Sequence, residues 1–269
     1  VPATRFPLPD AGNTKIAASG AVMMPRMTAS TLLEHGGRLR RAAAEHGIAL
    51  GDWLDLSTGV HPLGWPVPAL PAEVWRRLPE DDDGLEAAAA QYCGHPAPLP
   101  VAGSQAAIQL LPQLLPRATV ACLAPLYNEH PHAWAQAGHR VRRLPAGQLQ
   151  RALGAAVPYV LLCNPNNPTA HLLGRDELLA AAARLHARGG WLIVDEAFID
   201  ATPQHSVAAE AGSAAAPNLI VLRSIGKFFG LAGIRLGFVC AADGLRQQLA
   251  AALGPWSVAG PARAAARLA

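Results

Sequence analysis

Lys227 and Arg235 stand eight residues apart in RSIGKFFGLAGIRLGF (223–238), a run otherwise dominated by glycine and apolar residues. A lysine in such surroundings loses hydration, which favours the neutral, nucleophilic amine. Arg235, with its two-pronged fork, and the hydroxyl of Ser224 both suit a phosphate. Upstream, IVDEAF (193–198) ends an apolar run in Asp195. A carboxylate there needs a positive partner, or it neutralises itself by taking a proton. CNPNNPT (163–169) contains two Asn-Pro steps, which hold the chain in extended or turn conformations and place Asn167 to donate a hydrogen bond. AGSQAAI (102–108) is a glycine turn opening a helix at Ser104 and Gln105, and free N–H groups at such a start favour phosphate. APLYNEH (124–130) presents Tyr127. Singly, each of these is explained by a cap, a turn or a surface charge; five at strand exits are not.

The elements that position these residues follow from hydrophobic periodicity. LPVAG, TVACLAP, PYVLLCNP, GWLIVDEAF, NLIVLRSI and RLGFVCA read as strands. Between them SQAAIQLLPQLL, NEHPHAWAQAG and RDELLAAAARLHARG read as helices. In the last, Asp176 and Glu177 lie in the first turn and Arg184 and Arg188 near the end, as the helix dipole favours. DGLEAAAAQYCG reads as a helix closed by Gly94, and STLLEHGGRLRRAAAEHG as a helix capped by Ser30 or Thr31. WLDLSTGVHPLGWPVPALP is ordered loop. Apolar strands alternating with amphipathic helices predict an α/β domain with a largely parallel, buried sheet. Ligands of such sheets bind beyond the carboxyl ends of the strands. No internal repeat is visible.

Composition narrows the function. With 51 % hydrophobic and 15 % charged residues the chain can bury a sizeable core. Its 22 basic residues are dispersed and the net charge is only +3, which argues against a nucleic-acid partner. No apolar run is long enough to span a membrane. IAASGAVMM (16–24) is too short and weakly apolar for a signal peptide, so a cytoplasmic location is expected. Cys93, Cys122, Cys163 and Cys240 form no CxxC pair, no histidine stands at zinc-ligand spacing, and no metal is expected. Apart from His35, the histidines, including the pair His130 and His132, read as surface or capping residues. The strand ending in Asp195-Glu196 has a rival reading, the magnesium-binding strand of P-loop ATPases. That reading fails because Gly226-Lys227 continues with Phe228 instead of Ser or Thr.

Taken together, NPNNPT, VDEAF and SIGKFFGLAGIRLG resemble the fold-type-I enzymes dependent on pyridoxal 5′-phosphate, the aspartate aminotransferase-like superfamily, over about residues 31–269. The resemblance implies that superfamily's α/β fold, a mainly parallel central sheet flanked by helices, and pyridoxal 5′-phosphate as cofactor. It implies that Lys227 forms a Schiff base with the cofactor aldehyde and that Asp195 pairs with the pyridinium nitrogen. Asn167 would bond the ring's 3′ oxygen, and Ser104, Gln105, Ser224 and Arg235 would grip the phosphate. Tyr127 would stack on the ring, with His130 a second candidate in that loop.

Within the superfamily the chain is similar to the histidinol-phosphate aminotransferase branch, and there to decarboxylases of cobalamin biosynthesis that act on threonine phosphate. LEHGGRL (33–39), LDLSTGVHPLG (54–64) and LPEDDDGLEAAAAQYCG (78–94) carry this finer resemblance. It implies a phosphorylated amino acid substrate met by His35, Gly36 and Gly37. The expected reaction is decarboxylation of L-threonine O-3-phosphate to (R)-1-amino-2-propanol O-2-phosphate. The alternatives are histidinol-phosphate-type transamination and cofactor binding without turnover. Phe198 and Gly226 stand where histidinol-phosphate aminotransferases carry Tyr and Ser, and both differences fit the decarboxylases better. Relatives are homodimers; Leu78 stands where a partner-facing Tyr is common. The chain begins with Val1, not Met, which fits either a fragment boundary or a translation start placed too far upstream; it ends in PARAAARLA, so the resemblance implies that the family's small carboxy-terminal domain and its carboxylate-binding arginine are missing. The expected domains are an irregular extension (1–27), an N-terminal helix and substrate-segment loop (28–80) and a large cofactor-binding domain (81–269).

Overall fold

From Leu85 to Asp195 helices and strands alternate, as the change of hydrophobic period between 3.6 and 2 requires. The structure is a computed structural model and describes residues 33–269. In chain order these form α1 (Leu39–His46), α2 (Glu73–Arg76), α3 (Leu85–Cys93), β1 (Leu99–Val101), α4 (Ser104–Leu114), β2 (Thr119–Ala124), α5 (Glu129–Gln136) and β3 (Arg140–Pro145). There follow α6 (Leu149–Gly154), β4 (Tyr159–Cys163), α7 (Arg175–His186), β5 (Trp191–Asp195), β6 (Leu219–Ser224), β7 (Gly237–Cys240), α8 (Asp243–Leu253) and α9 (Gly260–Leu268).

One sheet runs in the order β1-β7-β6-β5-β4-β2-β3. Pairing is parallel from β6 through β5, β4 and β2 to β3, while β7 is antiparallel to both β6 and β1. The strand alternation divides side chains between two cores. Val160, Leu162, Leu192, Val194, Leu219 and Val221 join one core with α3, α6 and α7. Leu161, Ile193, Ile220 and Leu222 join the other with α4, α5 and α8. A sheet with both faces covered has continuously apolar strands, and β4 and β6 are buried at every position.

Two features differ from the sequence-based expectation. The first helix begins at Leu39 instead of at its expected start near Ser30: residues 33–38 are irregular, Gly37 takes φ +77°, and its N–H donates to Ser57 Oγ. The expected caps Ser30 and Thr31 lie outside the described residues. RVRRLP, which the sequence reading passed over, is strand β3. It pairs with β2 alone, at the edge of the sheet, where arginines at exposed positions are ordinary.

The loop at 57–65 is bound to the lysine loop. His61 N donates to the Lys227 carbonyl at 3.0 Å and Trp65 N to the Phe229 carbonyl at 2.7 Å. Gly230 makes this approach possible: a Cβ there would stand 2.4 Å from Gly64 Cα.

Candidate active site

The ends of β1, β2, β4, β5 and β6 meet around a cavity of about 370 Å³. All eight residues expected to hold the cofactor line it: Ser104 and Gln105 from α4, Tyr127 after β2, Asn167 after β4, Asp195 from β5, and Ser224, Lys227 and Arg235 around β6. His35 lines it as well. Gly36 and Gly37 do not; Gly36 packs against the Ser57 carbonyl.

One end of the cavity suits an anion. Helix α4 starts at Ser104 without a side-chain cap, so its first N–H groups are open to a ligand. Arg235 lies across this start, and the fit is close. Gly103 takes φ +72°, and a Cβ there would stand 2.8 Å from the Arg235 guanidinium. Arg235 itself holds the left-handed conformation, φ 54° and ψ 60°, which costs a non-glycine residue about 1–3 kcal/mol and is characteristic of functional sites. Gln105 contributes differently from the expectation. Its amide side chain is committed to Glu129 at 2.7 Å and to the Tyr127 hydroxyl at 3.2 Å, leaving the backbone N–H for an anion.

The opposite end is a buried carboxylate. Asp195 Oδ2 accepts from His130 Nε2 at 2.7 Å, and Oδ1 accepts from the Ala197 N–H at 3.0 Å. His130 is buried and belongs to the site, contrary to its reading as a surface or capping residue. It gives Asp195 a buried hydrogen-bond partner. The clue was present in APLYNEH, which leaves β2 at the same sheet edge as Asp195. His130, Cys163 and Asp195 offer ligand atoms within 4.8 Å of one another, the one such cluster among the described residues. The histidine and aspartate satisfy each other, and burial raises the Cys163 thiol far above its usual range, so the trio suits a hydrogen-bonded pair better than a metal.

Between the two ends lies Lys227. Burial lowers the pKa of its amine; Arg235 adds to this effect and Asp195 opposes it. Nζ stands 5.7 Å from the centre of the Phe198 ring. The asparagine loop divides its labour. Asn164 Nδ2 donates to the Leu173 carbonyl and its Oδ1 accepts from Leu173 N. Asn166 Nδ2 donates to the Pro125 carbonyl and to Thr169 Oγ1. With both spent on folding the loop, Asn167 remains for the cavity.

A phosphate-binding pole, a buried carboxylate and a half-buried amine between them fit a phosphorylated, nitrogen-containing ring that carries an electrophile. The chain belongs to the aminotransferase class I and II family, whose pattern it matches over residues 78–269. More particularly, it is 56 % identical over 232 residues to the threonine-phosphate decarboxylase of Pseudomonas aeruginosa, covering 86 % of this chain and 69 % of the relative. Among solved structures it resembles the L-threonine-O-3-phosphate decarboxylase of Porphyromonas gingivalis. The TM-score is 0.65 at 25 % identity, covering 73 % of this chain and 64 % of the other, just under two thirds. The fold also matches histidinol-phosphate aminotransferase from Sinorhizobium meliloti in complex with pyridoxal-5′-phosphate, with TM-score 0.71 at 20 % identity, covering 92 % of this chain and 72 % of that one.

Proposed function

We propose that this protein is a pyridoxal 5′-phosphate-dependent lyase that decarboxylates L-threonine O-3-phosphate to (R)-1-amino-2-propanol O-2-phosphate in cobalamin biosynthesis. The observation that carries this reading is the cavity with Lys227 between Arg235 and Asp195, in a chain 56 % identical to a threonine-phosphate decarboxylase.

The residues fit the cofactor. The start of α4, Ser104, Ser224 and Arg235 would hold its phosphate, and Asp195 its ring nitrogen. Asn167 would hold the ring hydroxyl and Tyr127 would pack against the ring. When bound, the cofactor supplies an electron-withdrawing ring that takes the electron pair left when a bond to the substrate's α-carbon breaks. Asp195, held at both oxygens by His130 and the Ala197 N–H, would accept a hydrogen bond from the ring nitrogen. The lowered pKa of Lys227 keeps Nζ available as a nucleophile, and Nζ then carries the proton that replaces the departing carboxylate on the α-carbon. Phe198 offers no hydroxyl to the ring, so Asn167 would be the partner of the ring oxygen.

We infer a homodimer as well. Leu54, Leu56 and Leu63 are 79 %, 81 % and 87 % exposed along one segment, and a second copy would cover such apolar surface. A cytoplasmic setting is supported by four free, buried cysteines, as expected in a reducing compartment. Among the described residues no helix is long and apolar enough to cross a membrane. The test of the function is to supply the purified full-length holoenzyme with threonine phosphate in the presence and absence of 2-oxoglutarate. The aminopropanol phosphate is expected to form equally in both. Turnover that requires the oxo acid would favour a transaminase.

A further inference from the structure

Four residues that line the cavity have near neighbours in one buried network behind it. Glu196 follows Asp195, Asp200 lies two positions after Phe198, Arg223 precedes Ser224, and Phe229 lies two positions after Lys227. Successive side chains of an extended chain point to opposite faces, so Asp195 and Ser224 meet the cavity while Glu196 and Arg223 turn away from it.

Arg223 is the centre of this network. Its side chain is 4 % exposed. Nη2 donates to Asp200 Oδ1 at 2.5 Å. Nη1 donates to Ser206 Oγ at 3.4 Å and stands 3.8 Å from Glu196 Oε2, to which the Ser206 hydroxyl donates at 2.6 Å. The same guanidinium lies 4.5 Å from the centre of the Tyr92 ring. The Tyr92 hydroxyl also donates to Asp200 Oδ1, and its ring meets Phe229 edge-on at 5.9 Å.

The backbone explains why such ties are needed. β5 and β6 are paired as far as Asp195 and Leu222, with one further hydrogen bond from Glu196 N to the Leu222 carbonyl. Beyond it the two chains part. β6 runs through the lysine loop into β7, and 197–206 winds into short helical turns. Among the described residues, the hydrogen bonds that still join 196–206 to 223–236 are those of Arg223. Across this gap the cofactor would be held at two points, its ring nitrogen by Asp195 on β5 and its phosphate by Ser224 on β6. A set of apolar side chains could fill the space behind the sheet with comparable stability. The planar, directional fork of a guanidinium instead fixes distances.

We propose that Arg223 is a positioning residue that sets the spacing between the β5 and β6 exits, and so lets one cofactor molecule reach Asp195 and Ser224 together. The proposal rests on the cofactor assignment above.

The test uses the full-length apoprotein and two probes, pyridoxal 5′-phosphate and inorganic phosphate. Cofactor affinity is read from the absorbance of the Schiff base on Lys227, and phosphate affinity from competition with the cofactor. Inorganic phosphate meets only the anion pole, so it does not sense the spacing. Arg223→Met should raise the Kd of the cofactor about tenfold, the effect of losing a hydrogen bond between charged groups, and leave that of phosphate unchanged. Arg223→Lys keeps the charge without the fork, so its cofactor Kd should stay raised. If neither arginine variant folds, Tyr92→Phe removes one donor from Asp200, keeps the ring and takes their place, with a rise in the same direction expected. A cofactor Kd within about twofold of wild type in the variant that decides would overturn the proposal. Equal weakening of cofactor and phosphate would mean general damage to the site and would overturn it too. A wild type that forms no Schiff base would instead overturn the cofactor assignment, so the two failures are distinguishable.

Discussion

His130 Nε2 and Asp195 Oδ2 are 2.7 Å apart, on buried side chains separated by 65 residues in sequence. With the Ala197 N–H on Oδ1, this contact sets the plane of the carboxylate. His130→Ala should leave the fold intact but lower kcat about 10–100-fold, since a hydrogen bond to a charged group contributes roughly 1.5–3 kcal/mol. His130→Asn, which keeps a donor, should recover part of the loss. Steady-state rates alongside circular dichroism check both, and a kcat unchanged in the alanine variant would contradict the role.

This pair marks the boundary of what sequence conveys. Lys227, Asp195, Asn167 and the start of α4 were legible because each depends on a local pattern, a strand exit or a helix start. His130 and Glu129 were not, because their partners Asp195 and His35 lie 65 and 94 residues away. The same distinction holds for the fold. Central strands are apolar along most of their length and were read directly, whereas β3 carries arginines because only one of its edges is paired. The start of α1 was misplaced because Gly36 and Gly37 were read as passing through a helix, whereas the chain there folds onto Ser57.

The lowered pKa of Lys227 has a stability consequence. Burial pulls it below the ordinary 10.5, so between the lowered value and 10.5 the unfolded chain binds more protons than the folded one. Wild-type stability therefore rises with pH across that window, and the penalty for a charged amine is fully present below it. Lys227→Met should abolish turnover and the cofactor's visible absorbance band. Without cofactor it should nevertheless unfold at a higher urea concentration than wild type at neutral pH, with the gap closing towards pH 10.5. A variant less stable than wild type at neutral pH would contradict this account.

Glu196 behaves in the opposite sense. It is completely buried, and burial raises its carboxyl from 4.5 to about 7 despite hydrogen bonds from Ser206 and Val207 and the nearby Arg223. Between pH 4.5 and about 7 the folded state binds more protons than the unfolded one, so this group's contribution to stability falls as pH rises through that window. Glu196→Gln should therefore gain on wild type as pH increases from 4.5 to 7. Urea midpoints at the two ends measure it, and a constant difference would count against the assignment.

Arg263 on α9 reaches Asp83 with Nε at 2.9 Å and Nη2 at 2.8 Å, and Glu86 on α3 with Nη2 at 2.9 Å. Its side chain is 4 % exposed, whereas Asp83 and Glu86 are 25 % and 36 % exposed. The acids can rehydrate when the guanidinium is removed, so the loss should be smaller than for a fully buried pair. Arg263→Ala should cost about 2 kcal/mol by urea unfolding and leave cofactor binding unchanged.

The central claim is that a bond to carbon, not to hydrogen, breaks at the substrate's α-carbon. Threonine phosphate deuterated at that carbon tests it most directly, with no oxo-acid acceptor present. The account predicts one CO2 for each aminopropanol phosphate formed, and a product that retains the deuterium. Deuterium lost to solvent without release of CO2 would contradict it.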